Sequence, residues 1–249
     1  MKAMIFAAGL GTRLRPITDT MPKALVPVAN KPLLQWQIEK LRDAGISDIV
    51  INVHHFPEQI RRFVLEHDSF GCNILFSDES NKLLETGGGL KKAATLLGYQ
   101  EPILALNVDI LSTVNLHRLI ASHTPDSMAT LVVSDRKTER YLLFDSKNRL
   151  HGWTNITTGE FKPADRAAEL KRQFKAGELK PLAFSGMHII SPELFKLMTT
   201  WGDCFPIIDF YLSICEQYPV QAYIPLDYRM MDIGKINQLD DAEAFARTL

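Results

Sequence analysis

The residues best suited to do chemistry lie in one early loop, AAGLGTRLRPITDTMPKALVPV, at residues 7–28. Gly9 and Gly11 carry no side chain, so their backbone N–H groups can approach an anion closely. Positive charge is concentrated beside them, at Arg13, Arg15 and Lys23. Because guanidinium and ammonium groups bind phosphate oxygens well, this combination predicts a polyphosphate site.

Two common phosphate-binding motifs do not fit this loop. A dinucleotide-binding GxGxxG fingerprint would need a glycine where Leu14 stands, and a helix where the loop has Pro16, Pro22 and Pro27. A P-loop would need Gly-Lys followed by Ser or Thr, which does not occur in the sequence. A surface loop with solvated arginines is the alternative that involves no chemistry.

Composition and charge limit the partners that the loop could serve. Of the 249 residues, 46% are hydrophobic, as in an ordinary folded protein. The 28 Lys and Arg residues nearly balance the 29 Asp and Glu residues, which leaves a net charge of −1. Such a balance argues against a surface devoted to nucleic acid or to an anionic membrane, so we expect neither partner. An anion-binding site must therefore be local.

Cysteine usage and hydropathy indicate the compartment. The three cysteines, Cys72, Cys204 and Cys215, are widely spaced and form no CxxC motif, so neither a disulfide framework nor a zinc site is predicted. No stretch approaches the ~20 apolar residues of a transmembrane helix. The short apolar run before Gly9 is soon followed by arginines, which argues against a signal peptide. We therefore expect a cytoplasmic protein.

Strands and helices alternate over residues 1–135. Apolar runs predict buried parallel strands at 2–8, 48–53, 72–76, 102–108 and 128–134. Amphipathic patterns predict helices that begin near Pro32, near Pro57 and after Gly89. The alternation predicts a doubly wound, mostly parallel α/β sheet that binds ligands at the carboxyl ends of its strands.

The pattern changes beyond residue 135. A polar turn between two short apolar runs predicts a hairpin over 141–153. The charged residues 160–180 are interpreted as a solvated face that includes a helix over 165–176. The remaining predicted elements are strands at 182–190, 220–224 and 228–233, and helices from Ser191, over 206–217 and over 235–248.

The segment GLGTRLRPITDTMPKALVPVANKPLL resembles the signature of the sugar-1-phosphate nucleotidyltransferases. Further motifs of that family recur in order, as ETGGG at 85–89, NVD at 107–109, FSG at 184–186 and MDIG at 231–234. The resemblance implies a Rossmann-like fold of the glycosyltransferase-A type with a sugar-binding hairpin. It also implies one domain, 1–249, with a nucleotide-binding half at 1–135 and a sugar-phosphate-binding half at 136–249.

The implied substrates are a nucleoside triphosphate and a sugar 1-phosphate, bound by a monomer or a homo-oligomer. In this family Arg13 would hold the β- and γ-phosphates, and Lys23 would bridge the α-phosphate and the sugar phosphate. Thr86 and the backbone of Gly87 and Gly88 would lie along the base edge. The other implied nucleotide-binding residues are Ala8, Gly9, Gly11, Thr12 and Asn107.

The resemblance further implies that Asp109 and Asp232 hold Mg²⁺, which prefers one or two protein carboxylates together with phosphate oxygens. One position departs from the family pattern, because Val108 stands where a glycine usually precedes the metal-binding aspartate.

Sugar recognition is less well defined by the sequence. Many relatives carry a Glu-Lys pair on the hairpin, where this chain has Gly-Trp-Thr-Asn at 152–155. Asn155, Ser185 and the backbone of Gly186 are candidate contacts for sugar hydroxyls, and Trp153 is expected to pack.

The base and the sugar stay open at this point. LETGGG resembles both uridylyltransferases for N-acetylmuramate 1-phosphate and guanylyltransferases for heptose or mannose 1-phosphate. A molybdopterin or choline-phosphate nucleotidyltransferase would share the loop chemistry. A non-catalytic sensor of nucleotide sugars would be expected to lack the cations or the aspartates.

Overall fold

A computed structural model describes all residues from 1 to 249. Its strands are β1 Lys2–Phe6, β2 Pro27–Val28, β3 Lys31–Pro32, β4 Asp48–Val53, β5 Asn73–Asp78, β6 Ile103–Asn107, β7 Ile110–Ser112, β8 Ala129–Ser134, β9 Arg140–Phe144, β10 Leu150–Asn155, β11 Glu160–Lys162, β12 Lys180–Ile190, β13 Val220–Tyr223 and β14 Met230–Asp232. Its helices are α1 Leu33–Asp43, α2 Pro57–Glu66, α3 Glu85–Leu97, α4 Leu116–Ser122, α5 Ala167–Lys175, α6 Pro192–Leu197, α7 Ile207–Ile214 and α8 Leu239–Ala246.

The central sheet is mixed but mostly parallel. Strands β5, β4, β1 and β6 run side by side in one direction. Strand β12 is antiparallel to both β6 and β8, and β13 is parallel to β8. Six of these strands therefore share one direction and β12 alone opposes them, which confirms the predicted doubly wound sheet.

Alternate residues of the central strands pack into two hydrophobic clusters, one on each face of the sheet. On β1, Ala3 and Ile5 join the first cluster, which α1, α2 and α8 cover. Met4 joins the second cluster, which α3, α6 and α7 cover. The predicted strand at 72–76 differs from the others, because β5 lies at the sheet edge and keeps one face exposed.

The C-terminal part adds an antiparallel ribbon, in which β9, β10 and β11 pair in order and β9 pairs with the first residues of β12. The hairpin predicted at 141–153 is thus present and is one strand longer than expected. Its inner face packs on α5, where Leu143, Leu170 and Leu179 form a small separate cluster.

The predicted start of the third helix was wrong. Helix α3 begins at Glu85, so Gly87, Gly88 and Gly89 lie inside the helix and not in a loop before it. Glycine is a poor helix former. Tertiary packing explains the exception, since a Cβ on Gly88 would lie 2.0 Å from the carbonyl oxygen of Asp203.

Candidate active site

A cleft of about 440 Å³ opens at the carboxyl ends of β1 and β6. This central cleft brings together most of the residues implied for nucleotide and metal binding: Ala8, Gly9, Gly11, Thr12, Arg13, Lys23, Thr86, Asn107 and Asp109. Its position agrees with the general rule for open α/β sheets. Val108 also lines the cleft and is itself buried.

Local folding of the early loop directs Lys23 into this cleft. The loop winds through three short 3₁₀ turns, at Thr12–Leu14, Ile17–Asp19 and Lys23–Leu25. Gly11 has a φ of +64°, and a Cβ there would lie 2.9 Å from Thr18 Cγ2 and 3.1 Å from Lys23 Cβ. The Thr18 hydroxyl donates a hydrogen bond to the Gly11 carbonyl at 2.8 Å. Glycine is therefore required at position 11 both for backbone conformation and for space.

Two buried polar residues that the sequence analysis missed hold the floor of the cleft. Asn52 Oδ1 accepts hydrogen bonds from the N–H groups of Ala7 at 2.7 Å and Ala8 at 3.3 Å. Asn52 Nδ2 donates to Glu79 Oε1 at 2.8 Å, and Glu79 Oε2 accepts from the Leu84 N–H at 3.1 Å. The only signal in the sequence was an asparagine within the otherwise apolar end of DIVINV. Because its N–H is already paired, Ala8 contributes to the wall of the cleft through packing.

Asp109 and Asp232 are brought together by a two-stranded ribbon, although they are far apart in the chain. Strand β14 pairs with β7 so that Asp232 stands opposite Ile110. The Ile233 N–H donates to the Asp109 carbonyl at 2.9 Å. The ammonium of Lys23, itself buried, forms an ion pair with the Asp109 carboxylate. Pairing of β7 with β14 therefore brings the NVD and MDIG motifs to one site.

Four charged side chains lie close together at this point. Asp232 is exposed to solvent, yet partial burial, and then the neighbouring Asp109 carboxylate, raise the pKa of Asp232. Lys23 and Arg13 oppose that rise. Gly234 makes room for the contact, because a Cβ there would lie 2.9 Å from Arg13 Nη2 and 3.1 Å from Asp232 Oδ1. Two cations and two carboxylates therefore meet here, although Asp232 itself does not line the cleft.

The glycines of ETGGG have a different role from the one the resemblance implied. The N–H groups of Gly87 and Gly88 donate to the Phe205 carbonyl at 2.8 and 3.3 Å, so these amides are not free to contact a base. The Thr86 hydroxyl accepts a hydrogen bond from the Ile207 N–H at 2.9 Å and so caps α7. Of these three residues, only Thr86 lines the central cleft.

One of the candidate sugar contacts, Asn155, already bonds within the protein. Asn155 Oδ1 accepts hydrogen bonds from the N–H groups of Thr157 at 2.9 Å and Thr158 at 3.2 Å, so it forms the β10–β11 turn. The Ser185 side chain is buried, and its hydroxyl has no hydrogen-bond partner within the protein. The expectation is therefore corrected for the Asn155 oxygen, whereas the Ser185 hydroxyl stays a candidate contact.

Gly186, the third candidate, adjoins the central cleft. Its φ is +66°, and a Cβ there would lie 2.8 Å from Asn107 Nδ2. Asn107 also lines the central cleft, so the FSG and NVD motifs are in direct contact. The backbone of Gly186 therefore lies where a substrate bound in the cleft could contact it.

A second cavity of about 440 Å³, the hairpin pocket, lies between α7 and the ribbon formed by β9, β10 and β11. Trp153 and Phe184 provide its aromatic surface, and Arg136, Arg140 and Lys162 provide positive charge. Lys162 falls in the run interpreted as a solvated face, and its side chain is 41% exposed while it lines this pocket. Trp153 packs on the core with one side and lines the pocket with the other.

Comparison with known proteins places the chain in a family. The family described as nucleotidyl transferase matches residues 2–248. The chain belongs to this family. An N-acetylmuramate alpha-1-phosphate uridylyltransferase of Neisseria meningitidis serogroup B is 46% identical over 99% of this chain and 98% of its own length. A protein of the same description from Caulobacter vibrioides is 34% identical over 80% of this chain and 82% of its own length.

Other nucleotidyl transferases match a smaller share of their own length. A mannose-1-phosphate guanyltransferase of Hypocrea jecorina is 42% identical over 79% of this chain but only 51% of its own length. The sequence resemblance to sugar-1-phosphate nucleotidyltransferases is confirmed by these matches. The protein is accordingly an enzyme of that class.

Solved nucleotidyl transferase structures share the fold. A UDP-glucose pyrophosphorylase complexed with UDP-glucose superposes with a TM-score of 0.75 over the full length of both chains, at 17% identity. HddC from Yersinia pseudotuberculosis complexed with GMP-PN superposes with a TM-score of 0.74 over 98% of this chain and 99% of its own, at 20% identity. None of the helices in this nucleotidyl transferase has both the length and the apolar character needed to cross a bilayer.

Proposed function

We propose that the central cleft joins a nucleoside triphosphate to a sugar 1-phosphate, with Arg13 and Lys23 as the catalytic cations. The observation that carries this assignment is the meeting of these two cations with Asp109 and Asp232 at the carboxyl edge of the sheet. The whole chain acts as one domain, in which 1–135 supplies the nucleotide side and 136–249 the sugar-phosphate side.

The reaction needs positioning more than acid–base chemistry. An oxygen of the sugar phosphate attacks the α-phosphorus, a new P–O bond forms, and the bond to the β-phosphate breaks as pyrophosphate leaves. A phosphate monoester has a second pKa near ~6, so the nucleophile is mostly dianionic at neutral pH and needs no general base. Lys23 holds the two reacting phosphates together, and Arg13 stabilises the charge on the departing pyrophosphate.

Asp109 and Asp232 fit a Mg²⁺ ion. No group of three or more His, Cys, Asp or Glu side chains is arranged to hold a metal by itself. A pair of adjacent carboxylates does suit Mg²⁺, which usually completes its octahedral shell with phosphate oxygens and water. Burial, and then the charge of Asp109, raise the pKa of Asp232, so its negative charge is unfavourable there and a bound cation would relieve this. When bound, Mg²⁺ supplies charge neutralisation at the phosphates.

For the substrates we propose UTP and N-acetylmuramate 1-phosphate. The relative of this description from Neisseria meningitidis aligns end to end with this chain, which the guanyltransferase of Hypocrea jecorina does not. GTP with mannose 1-phosphate is the second candidate, because that relative is still 42% identical over the region it shares.

Pyrophosphate release tests the proposal directly. The purified protein is incubated with Mg²⁺ and each of four nucleoside triphosphates against a panel of sugar 1-phosphates. We expect release with UTP and N-acetylmuramate 1-phosphate, and its loss in a double variant, Asp109→Asn with Asp232→Asn. Release only with GTP and mannose 1-phosphate would select the second candidate. No release from any pair would reject catalysis and favour a sensor of nucleotide sugars.

A further inference from the structure

The hairpin pocket carries more positive charge than its own residues neutralise. Three cations line it, against the single carboxylate of Asp209. Lys162 Nζ lies 3.6 Å from Asp209 Oδ1, so this pair is loose. The guanidinium of Arg140 makes no ion pair and no hydrogen bond with another residue. The pocket therefore has unpaired positive charge available for an anion.

Strand register sets this charge beside an aromatic surface. Trp153 pairs with Leu142 on one side and with Lys162 on the other, so the three side chains form one row across β9, β10 and β11. Arg140 lies two residues before Leu142 and thus on the same face of β9. The Lys162 ammonium is 5.2 Å from the centre of the Trp153 ring, within the range of a cation–π contact.

Strand β12 connects the hairpin pocket with the central cleft. Phe184 lines the pocket, and Gly186, two residues later, lies against Asn107, which lines the cleft. Arg136 lines the pocket and donates a hydrogen bond to the Phe184 carbonyl at 3.1 Å. A sugar phosphate held by Lys23 can therefore extend its ring along this part of β12 towards Trp153.

The phosphates of both substrates already have cations of their own in the central cleft. Arg13 and Lys23 face them there, whereas Arg136 lines the hairpin pocket. Arg140 is the first residue of β9 and Lys162 is the last residue of β11, and both line the hairpin pocket and not the central cleft. A neutral sugar would leave Arg140 without a partner and Lys162 with only its loose pair to Asp209, whereas a sugar with an acidic substituent would pair with both cations.

We propose that Arg140 and Lys162 bind a carboxylate on the acceptor sugar, and that this contact selects acidic sugars over neutral ones. The inference rests on the proposed function, because it assigns the sugar end of the same reaction. Trp153 and Phe184 supply the apolar faces on which the ring lies. Arg140 and Lys162 are specificity residues and take no part in the transfer step.

A pair of sugars tests the carboxylate contact. N-Acetylmuramate 1-phosphate differs from N-acetylglucosamine 1-phosphate by a lactyl ether, which carries the carboxylate. With the wild-type protein we expect a KM lower by about 10- to 100-fold for the acidic sugar, the range of one or two hydrogen bonds to a charged group. Arg140→Gln and Lys162→Met should each raise the KM of the acidic sugar by about tenfold or more, with kcat unchanged and the neutral sugar little affected.

Lys147→Gln is the matched control, because Lys147 is an exposed cation in the turn of the same hairpin and lies outside the pocket. Equal KM values for the two sugars, or equal losses with both sugars in the Arg140 variant, would overturn the inference. Calorimetry also measures binding of unphosphorylated N-acetylmuramate and N-acetylglucosamine to the same proteins. This measurement needs no turnover, so it tests the carboxylate contact separately from catalysis. A preference for the acidic sugar that Arg140→Gln abolishes supports the contact even if no pyrophosphate is released, and an absent preference refutes it.

Discussion

The side-chain amide of Gln37 on α1 donates a hydrogen bond to the carbonyl of Ile110 at 2.9 Å, one residue after Asp109. The same amide lies 3.4 Å from the Val108 carbonyl, on the other side of Asp109. One turn later Lys40 donates to the Ser112 carbonyl at 2.6 Å. Helix α1 therefore holds the backbone on both sides of a proposed metal ligand, and it follows directly on the loop that carries Lys23.

Gln37→Leu should weaken Mg²⁺ binding. The substitution leaves the carbonyls of Val108 and Ile110 without their donor, so Asp109 is held less firmly. Loss of such a supporting contact typically costs 10- to 100-fold in metal affinity. We expect the Mg²⁺ concentration for half-maximal pyrophosphate release to rise by about tenfold or more. Calorimetric titration of Mg²⁺ in the presence of nucleotide should show the same shift.

Gln35→Leu is the control for this experiment. Gln35 lies on the same helix, is only half-buried and bonds Glu39 at 2.8 Å, away from Asp109. Its Mg²⁺ dependence should match that of the wild type. If Gln37→Leu also leaves the Mg²⁺ dependence unchanged, α1 does not position the aspartate.

Lys23→Met should reduce kcat by about 10²- to 10³-fold, the usual cost of removing a donor that stabilises transition-state charge. Circular dichroism should show an unchanged fold. Lys31→Met is the comparison, because Lys31 pairs with Glu39 outside the central cleft. A Lys23→Met enzyme with turnover close to that of the wild type would rule out the catalytic role.

Gly88→Ala should destabilise the fold. The new Cβ would lie 2.0 Å from the Asp203 carbonyl oxygen, and backbone on that side cannot move away cheaply. Overpacking of this kind typically costs about 1–3 kcal/mol of unfolding free energy. Gly202→Ala should have little effect, because a Cβ there meets nothing within 4 Å. Thermal melts should show a lower melting temperature for Gly88→Ala than for Gly202→Ala and the wild type. Equal melting temperatures would contradict the packing argument.

His188 should make the protein sensitive to acid. Complete burial lowers the pKa of His188 to about 3, whereas the unfolded chain has a histidine pKa near ~6.5. Below pH ~6.5 the unfolded state therefore binds a proton that the native state does not bind, and stability falls as the pH falls towards 3. Between pH 7 and pH 5 this group should remove about 2 kcal/mol of unfolding free energy.

The variant His188→Gln isolates this contribution, because glutamine keeps an acceptor for the Tyr211 hydroxyl, which lies 2.8 Å from His188 Nδ1. Urea unfolding at several pH values should show a weaker loss of stability on acidification than in the wild type. His117→Gln, at an exposed position, should behave as the wild type. A parallel pH dependence in wild type and His188→Gln would show that another group is responsible.

Most of the fold could be predicted from periodicity, because the central strands are apolar on both faces and their helices show clear apolar stripes. The start of α3 could not, since three consecutive glycines argue against a helix unless the backbone of 203–205 is known to pack there. Strand β11 was also missed. Its residues Glu160–Lys162 belong to a charged run, and only the cross-strand pairing with Trp153 shows that Lys162 faces a pocket.

Several residues of the central cleft could also be predicted from the sequence. Gly11, Lys23 and Asp109 belong to short motifs whose residue types and order carry the chemistry. Asn52 and Gln37 act through hydrogen bonds to backbone atoms distant in the sequence, which no local pattern records. Asn155 was assigned wrongly because an asparagine that closes a turn looks the same in the sequence as one that faces a ligand.

Pairing of β7 with β14 affects the order in which the two aspartates are brought together during synthesis. A growing chain that has folded its first parallel strands already possesses the phosphate loop and Asp109, yet Asp232 is added only when the last strand docks. Nucleotide held before that moment would face a single carboxylate beside Lys23. The aspartate pair is thus completed only after all fourteen strands have been made, because β14 is the last of them.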